Sequence, residues 1–188
     1  MEAVLISAAV VALAEIGDKT QLLAVVLAVR FRKPLPVIGG ILVATIVNHG
    51  LSALGGYYIA DLLAGPWFQI AIGVSFLAMA AWTLIPDRLD NDDAPIGDRG
   101  AFVTSLIAFF LVEIGDKTQI ATAALAARFH AIIPVAIGTT MGMLLADVPV
   151  VFLGHRAANW INLKLMHALA AVIFAMLGVW VLWGVFAP

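Results

Sequence analysis

Glu15, Asp18 and Lys19 belong to the string EIGDKTQ at 15–21, which recurs unchanged at 113–119 and there supplies Glu113, Asp116 and Lys117. Carboxylates three apart lie on one face of a continuous helix. Two such pairs brought together would offer oxygen ligands to a hard cation and sites for protons. The glycine inside each pair, Gly17 or Gly115, permits close approach of a neighbouring helix or a local break that frees carbonyls. Glu15 with Lys19, and Glu113 with Lys117, also have the i,i+4 spacing of an intrahelical ion pair, so the bland reading is two self-neutralised structural pairs. The charges do not close on that reading. Four acids against two lysines leave two negative charges, which a divalent cation or two protons would compensate. Metal entry and proton release would then compete for the same oxygens, with Glu15 and Glu113 as both metal ligands and proton carriers.

The elements that must hold these groups are apolar. The 188-residue chain is 63% hydrophobic and 12% charged, with mean hydropathy +1.07, against roughly 25% charged in a soluble domain. This predicts an all-α integral membrane protein. Six segments are long enough to span a bilayer: 3–29, 35–60, 67–85, 101–127, 132–154 and 163–186. Counted at about 1.5 Å per residue, Gly17 and Gly115 fall near the middle of their segments, a depth where ionisable groups normally face a polar cavity. The polar run 86–100 is the one connection long enough to be a linker; its five acids and two bases read as a solvated loop, the alternative being a loop that attracts metal. The first segment lacks the basic start of a cleavable signal peptide. No cysteine is present, which excludes disulfides and thiolate metal ligation, and no basic stripe suggests nucleic acid.

Sliding the chain against itself by 98 positions aligns Ser7 with Ser105, Pro36 with Pro134, Gly40 with Gly138 and Gly56 with Gly154 as well as the motif. The expected organisation is a first three-helix repeat over 1–85, a linker over 86–100 and a second repeat over 101–188. Because each unit has an odd number of spans, the second must enter the membrane from the opposite side. Inverted repeats of this kind are a common plan of secondary transporters, with the substrate site near the midplane. Outside the motifs, seven Lys and Arg residues fall on one side and Arg128 alone on the other. That bias predicts a cytoplasmic linker and both termini outside.

Each repeat's second helix adds polar groups. His49, with Asn48 beside it, aligns with Asp147, a lone acid in an apolar run two residues before Pro149. Asp147 reads as a site member; His49 reads equally as a ligand or as a buried neutral histidine. Met143 shares the face of Asp147 and reads as core. Thr20, Gln21, Thr118 and Gln119 either complete an oxygen shell or bond helix carbonyls. Carboxylate, amide and carbonyl oxygens suit Ca²⁺, Mg²⁺ or Mn²⁺ rather than zinc or copper.

Two in-register copies of E-x-G-D-[KR]-[ST], Glu15 to Thr20 and Glu113 to Thr118, resemble the family of Ca²⁺/Mn²⁺:H⁺ exchangers that includes the eukaryotic Golgi manganese transporter, its thylakoid relatives and bacterial manganese exporters. The resemblance covers essentially the whole chain. It implies that the acids of both motifs form the cation site, that protons are the counter-ion, and that no prosthetic group is needed. With no transit segment ahead of the first helix, it implies a bacterial inner-membrane exporter, Mn²⁺ ahead of Ca²⁺. Competing readings are a divalent cation channel without proton coupling, an exporter of a basic amino acid, and an intramembrane aspartyl protease. The protease pattern, G-x-G-D, is not met, because Glu15 and Glu113 hold its first position, so no enzyme is expected. A homo-oligomer is left open.

Overall fold

The computed structural model describes residues 1–63, 65–85, 99–153 and 163–186. Most of the linker 86–100, the aligned Gly154 and the connection 155–162 lie outside the described residues. The described chain is helical, with no strand. In order, the helices are α1 (Glu2–Glu15), α2 (Lys19–Phe31), α3 (Pro34–Leu62), α4 (Pro66–Thr83), α5 (Ala101–Glu113), α6 (Lys117–Phe129), α7 (Ile132–Leu153) and α8 (Leu163–Phe186). Among them α3, α4, α7 and α8 are long and apolar enough to cross a membrane, and α5 is a shorter apolar helix.

The segments 3–29 and 101–127 are therefore not continuous helices. Each breaks at its motif glycine, with Gly17 at φ 85° and Gly115 at φ 77°, a left-handed conformation that glycine adopts without a Cβ clash. The same shift of 98 relates two further caps: Arg32 ends α2 at φ 52° and His130 ends α6 at φ 49°. Prolines at the first turns of α3 and α4 stand where no intrahelical donor is needed. Pro149 is accommodated inside α7.

Packing crosses between the two halves. α1 lies along α7, and α5 lies along α3. Small residues make the approach close: a Cβ on Gly138 would meet the Ser7 Cβ at 2.9 Å, and one on Gly40 would meet the Ser105 Cβ at 2.7 Å. These are one contact made twice, since Gly40 and Ser7 correspond to Gly138 and Ser105. α4 and α8 cross at Gly73 and Gly178 in the same small-residue manner. Two apolar clusters fill the interior, one around Phe76, Leu125 and Phe174, the other around Leu23, Ile41 and Phe109. The outward faces are apolar too, with Leu145, Trp67 and Trp183 exposed, as befits helices solvated by lipid.

Candidate metal centre at the helix breaks

The motif builds its own break. Glu15 closes α1, and its carbonyl accepts from Asp18 N at 3.0 Å. Asp18 is the N-cap of α2, its carboxylate accepting from Lys19 N at 2.8 Å. Gln21, three residues on, reaches back so that its Oε1 accepts from Gly17 N at 2.8 Å. This is close to a capping box, in which cap and third residue together satisfy amides that a helix start leaves bare. The second copy repeats it: Asp116 N donates to the Glu113 carbonyl at 3.0 Å, Asp116 accepts from Thr118 N, and Gln119 Oε1 accepts from Gly115 N at 2.7 Å. The oxygens of Gln21 and Gln119 are thus placed on backbone amides.

Because the helix is interrupted, neither expected intrahelical relation survives. Glu15 ends one helix and Asp18 caps the next, so they do not share one helical face, and Glu15 with Lys19, like Glu113 with Lys117, loses the i,i+4 geometry of an unbroken helix. The lysines reach across to the other copy instead. Lys19 Nζ is 3.2 Å from Asp116 Oδ1, and Lys117 Nζ is 3.3 Å from Asp18 Oδ1. Lys117 is buried, whereas the Lys19 side chain is 25% exposed.

Carboxylate oxygens of Glu15, Asp18 and Asp116 lie within 4.8 Å of one another, and all three residues are buried. Asp147 is buried on α7 within electrostatic reach of Glu15. Among the described residues, neither carboxylate oxygen of Glu15 or of Asp147 has a hydrogen-bond partner. Buried acids without donors are costly unless something neutralises them. Hard oxygen donors from three or four carboxylates suit a hard divalent cation.

Glu113 is placed differently. Its Oε2 accepts from Asn48 Nδ2 at 3.1 Å, and His49 Nε2 lies 2.6 Å from its Oε1. Asn48 also donates to the Phe110 carbonyl at 3.1 Å, tying α3 to α5. Opposite, Gln21 Nε2 donates to the Ala146 carbonyl at 3.1 Å, tying α2 to α7. Thr118 Oγ1 donates to Asp116 Oδ2 at 3.2 Å, and Thr20 Oγ1 is buried with no partner among the described residues. Met143 is fully buried. The structure thus brings the oxygens of Glu15, Asp18 and Asp116 together, sets Asp147 within electrostatic reach of both glutamates, and places Asn48 and His49 against Glu113.

The reciprocal lysine arms are what reading the motif one copy at a time misses. The signal is the duplication itself, because two copies that meet can exchange their long side chains.

The family profile described as divalent cation/proton antiporter GDT1 matches residues 3–91 and 101–188. A Vibrio cholerae serotype O1 protein named "Putative manganese exporter" is 51% identical over 178 residues, covering 94% of this chain and 88% of its own. GDT1-like protein 5 of Arabidopsis thaliana is 28% identical, covering 92% of each chain. The chloroplastic PAM71-homolog of the same plant is 24% identical over 92% of this chain and 56% of its own. No solved structure matches significantly.

Proposed function

The chain belongs to the GDT1 family of divalent cation/proton antiporters, and from that premise we propose that it exports Mn²⁺ in exchange for protons across a bacterial inner membrane. The observation that carries the reading is the buried trio Glu15, Asp18 and Asp116, with Asp147 within electrostatic reach and, like Glu15, without a donor among the described residues. The choice of Mn²⁺ over Ca²⁺ leans on the name of the Vibrio relative, since oxygen ligands alone suit both ions. Family membership weighs against an uncoupled channel, and nothing in the geometry favours a basic amino acid.

In this mechanism Glu15, Asp18 and Asp116 are the first ligands, with Asp147 completing the charge. Entering metal displaces the Lys19 and Lys117 ammoniums from the two aspartates. As the ion leaves, one proton returns to Glu15 and one to Asp147, and the lysines return to Asp116 and Asp18. The lysines thus act as tethered counter-ions that hold the acid cluster together between cargo ions. Gln21 and Gln119 shape the breaks, while Asn48 and His49 hold Glu113.

For architecture, we count α1 with α2, and α5 with α6, as single discontinuous spans. That gives six spans in two inverted repeats, 1–85 and 101–188, with both termini periplasmic. A cysteine at Leu62, 81% exposed in a chain without cysteine, should react with a membrane-impermeant thiol reagent in intact cells. Protection there would reverse the topology.

The decisive experiment uses proteoliposomes holding a pH indicator. External Mn²⁺ should drive proton movement the opposite way, and an imposed pH gradient alone should drive Mn²⁺ uptake. Mn²⁺ movement indifferent to the pH gradient would refute exchange in favour of a channel.

A further inference from the structure

Away from the carboxylates, where α3 ends, α4 begins and α6 ends, the surface opens into a pocket of about 310 Å³ lined by Asp61, Gln69, Arg128 and His130. His130 Nε2 is 3.3 Å from Asp61 Oδ1, both half-exposed, and its ring lies 4.3 Å from that of Tyr57. The Arg128 guanidinium sits over the Trp180 ring at 4.3 Å. Arg128 Nε is buried and, among the described residues, has no hydrogen-bond partner. Continuous with this pocket through Phe68, Ile72 and Ala127 is an apolar groove of about 230 Å³ between α3, α4 and α6. Exposed Trp67 and Tyr58 stand near this end of the bundle, the placement of aromatic residues at a membrane–water boundary.

The chemistry of the pocket is selective. A metal ion is opposed by Arg128, and a purely anionic group is opposed by Asp61. The shape, polar at the boundary and apolar along the helices, calls for an amphiphile. The Arg128 guanidinium, which lines the pocket, suits a phosphate. A carboxylate beside it suits an ammonium that can donate hydrogen bonds. A trimethylated ammonium would instead want open aromatic faces, and here the Tyr57 and Trp180 rings already face His130 and Arg128. We infer that this crevice is a binding site for a zwitterionic phospholipid with a primary ammonium headgroup, its phosphate at Arg128 and His130, its ammonium at Asp61 and an acyl chain in the groove.

The test is native mass spectrometry of the full chain in detergent, titrated separately with phosphatidylethanolamine, phosphatidylcholine and phosphatidylglycerol of one acyl composition. Phosphatidylethanolamine should be retained roughly tenfold better than either, the worth of one charge-assisted hydrogen bond. Equal retention of all three overturns the inference, because it marks an ordinary lipid-facing groove. Asp61→Asn should bring phosphatidylethanolamine down to the phosphatidylcholine level without weakening phosphatidylglycerol, and Arg128→Gln should weaken all three. A preference that persists in Asp61→Asn also overturns it. Free phosphoethanolamine should compete poorly, and competition equal to the intact lipid's would remove the groove from the proposal. Since the lipid series is first run on the unaltered chain, a variant that fails to fold leaves the question decided.

Discussion

Glu113 accepts a hydrogen bond from Asn48 and lies against His49, whereas Glu15, which ends the equivalent helix, faces Asp147 and has no donor among the described residues. The motifs are identical, so the difference comes from the helices that cross them. In register, Asn48 and His49 on α3 correspond to Ala146 and Asp147 on α7. Two neighbouring positions give one glutamate an amide and an imidazole on its crossing helix and the other an acid, while Asp147 stays within electrostatic reach of both glutamates. The repeated motif supplies the break and the cap, and the crossing helix decides what its glutamate can do. Duplication gives a symmetric frame, and a pair of substitutions suffices to give it an asymmetric site.

The largest effect should separate the two glutamates. Glu15→Gln removes a titrating ligand, so proton-coupled Mn²⁺ exchange in proteoliposomes should be abolished. Glu113→Gln keeps an amide that Asn48 and His49 can still bond, and should slow exchange about tenfold, the weight of one hydrogen bond to a charged group. Equal loss in both would break the comparison and make the two copies one functional unit.

Next come the lysines, measured by thermal or denaturant unfolding with no metal present. The Lys117–Asp18 pair is buried on both sides, and removing one partner of such a pair costs about 3–5 kcal/mol. The Lys19–Asp116 pair has a partly exposed lysine, for which about 1 kcal/mol is the expected scale. Lys117→Met should therefore destabilise clearly more than Lys19→Met. The reverse order would mean that the exchanged arms do not bear the load assigned to them.

A smaller effect sharpens the role of the crossing helix. Asp147→Asn should weaken Mn²⁺ affinity by about 1–3 kcal/mol through loss of a charged contact, read as the metal dependence of flux. His49→Gln should leave that dependence nearly unchanged. Unaltered transport by Asp147→Asn at limiting metal would return Asp147 to a structural role.

Much of this was legible before any coordinates. Composition announces the membrane, α8 begins and ends where the apolar run 163–186 does, and Gly17 reads as either a close-approach point or a break, of which the structure shows the break. The consequences of that break do not follow from spacing alone. Placing Glu15 and Asp18 on one face, or Lys19 beside Glu15, assumes a continuous helix, and a φ of 85° at Gly17 removes the assumption. The partner of His49 was also out of reach. Alignment set His49 opposite Asp147 in register, but its contact with Glu113 depends on α5 packing along α3, a tertiary fact that no local pattern encodes. Gln21 does bond a helix carbonyl, that of Ala146, as one of its two readings has it, but the place of Gln21 and Gln119 on the glycine amides follows only once the break exists to need capping.

The exchanged lysine arms have an electrical consequence. In the proposed cycle Lys19 and Lys117, paired with Asp116 and Asp18 between cargo ions, are resident charges: metal displaces them from the aspartates but does not carry them across. Only cargo changes from one state to the other. If one divalent ion trades for two protons, the loaded and returning carriers have the same total charge, and the membrane potential does no net work on the cycle. A one-proton exchange would carry one unbalanced charge through the field, worth about 2.3 kcal/mol per 100 mV. Clamping proteoliposomes at different potassium diffusion potentials should therefore leave the Mn²⁺ gradient reached at a fixed pH gradient unmoved. A gradient that shifts about fiftyfold per 100 mV, that same energy expressed as a ratio, would assign the missing charge to a single proton.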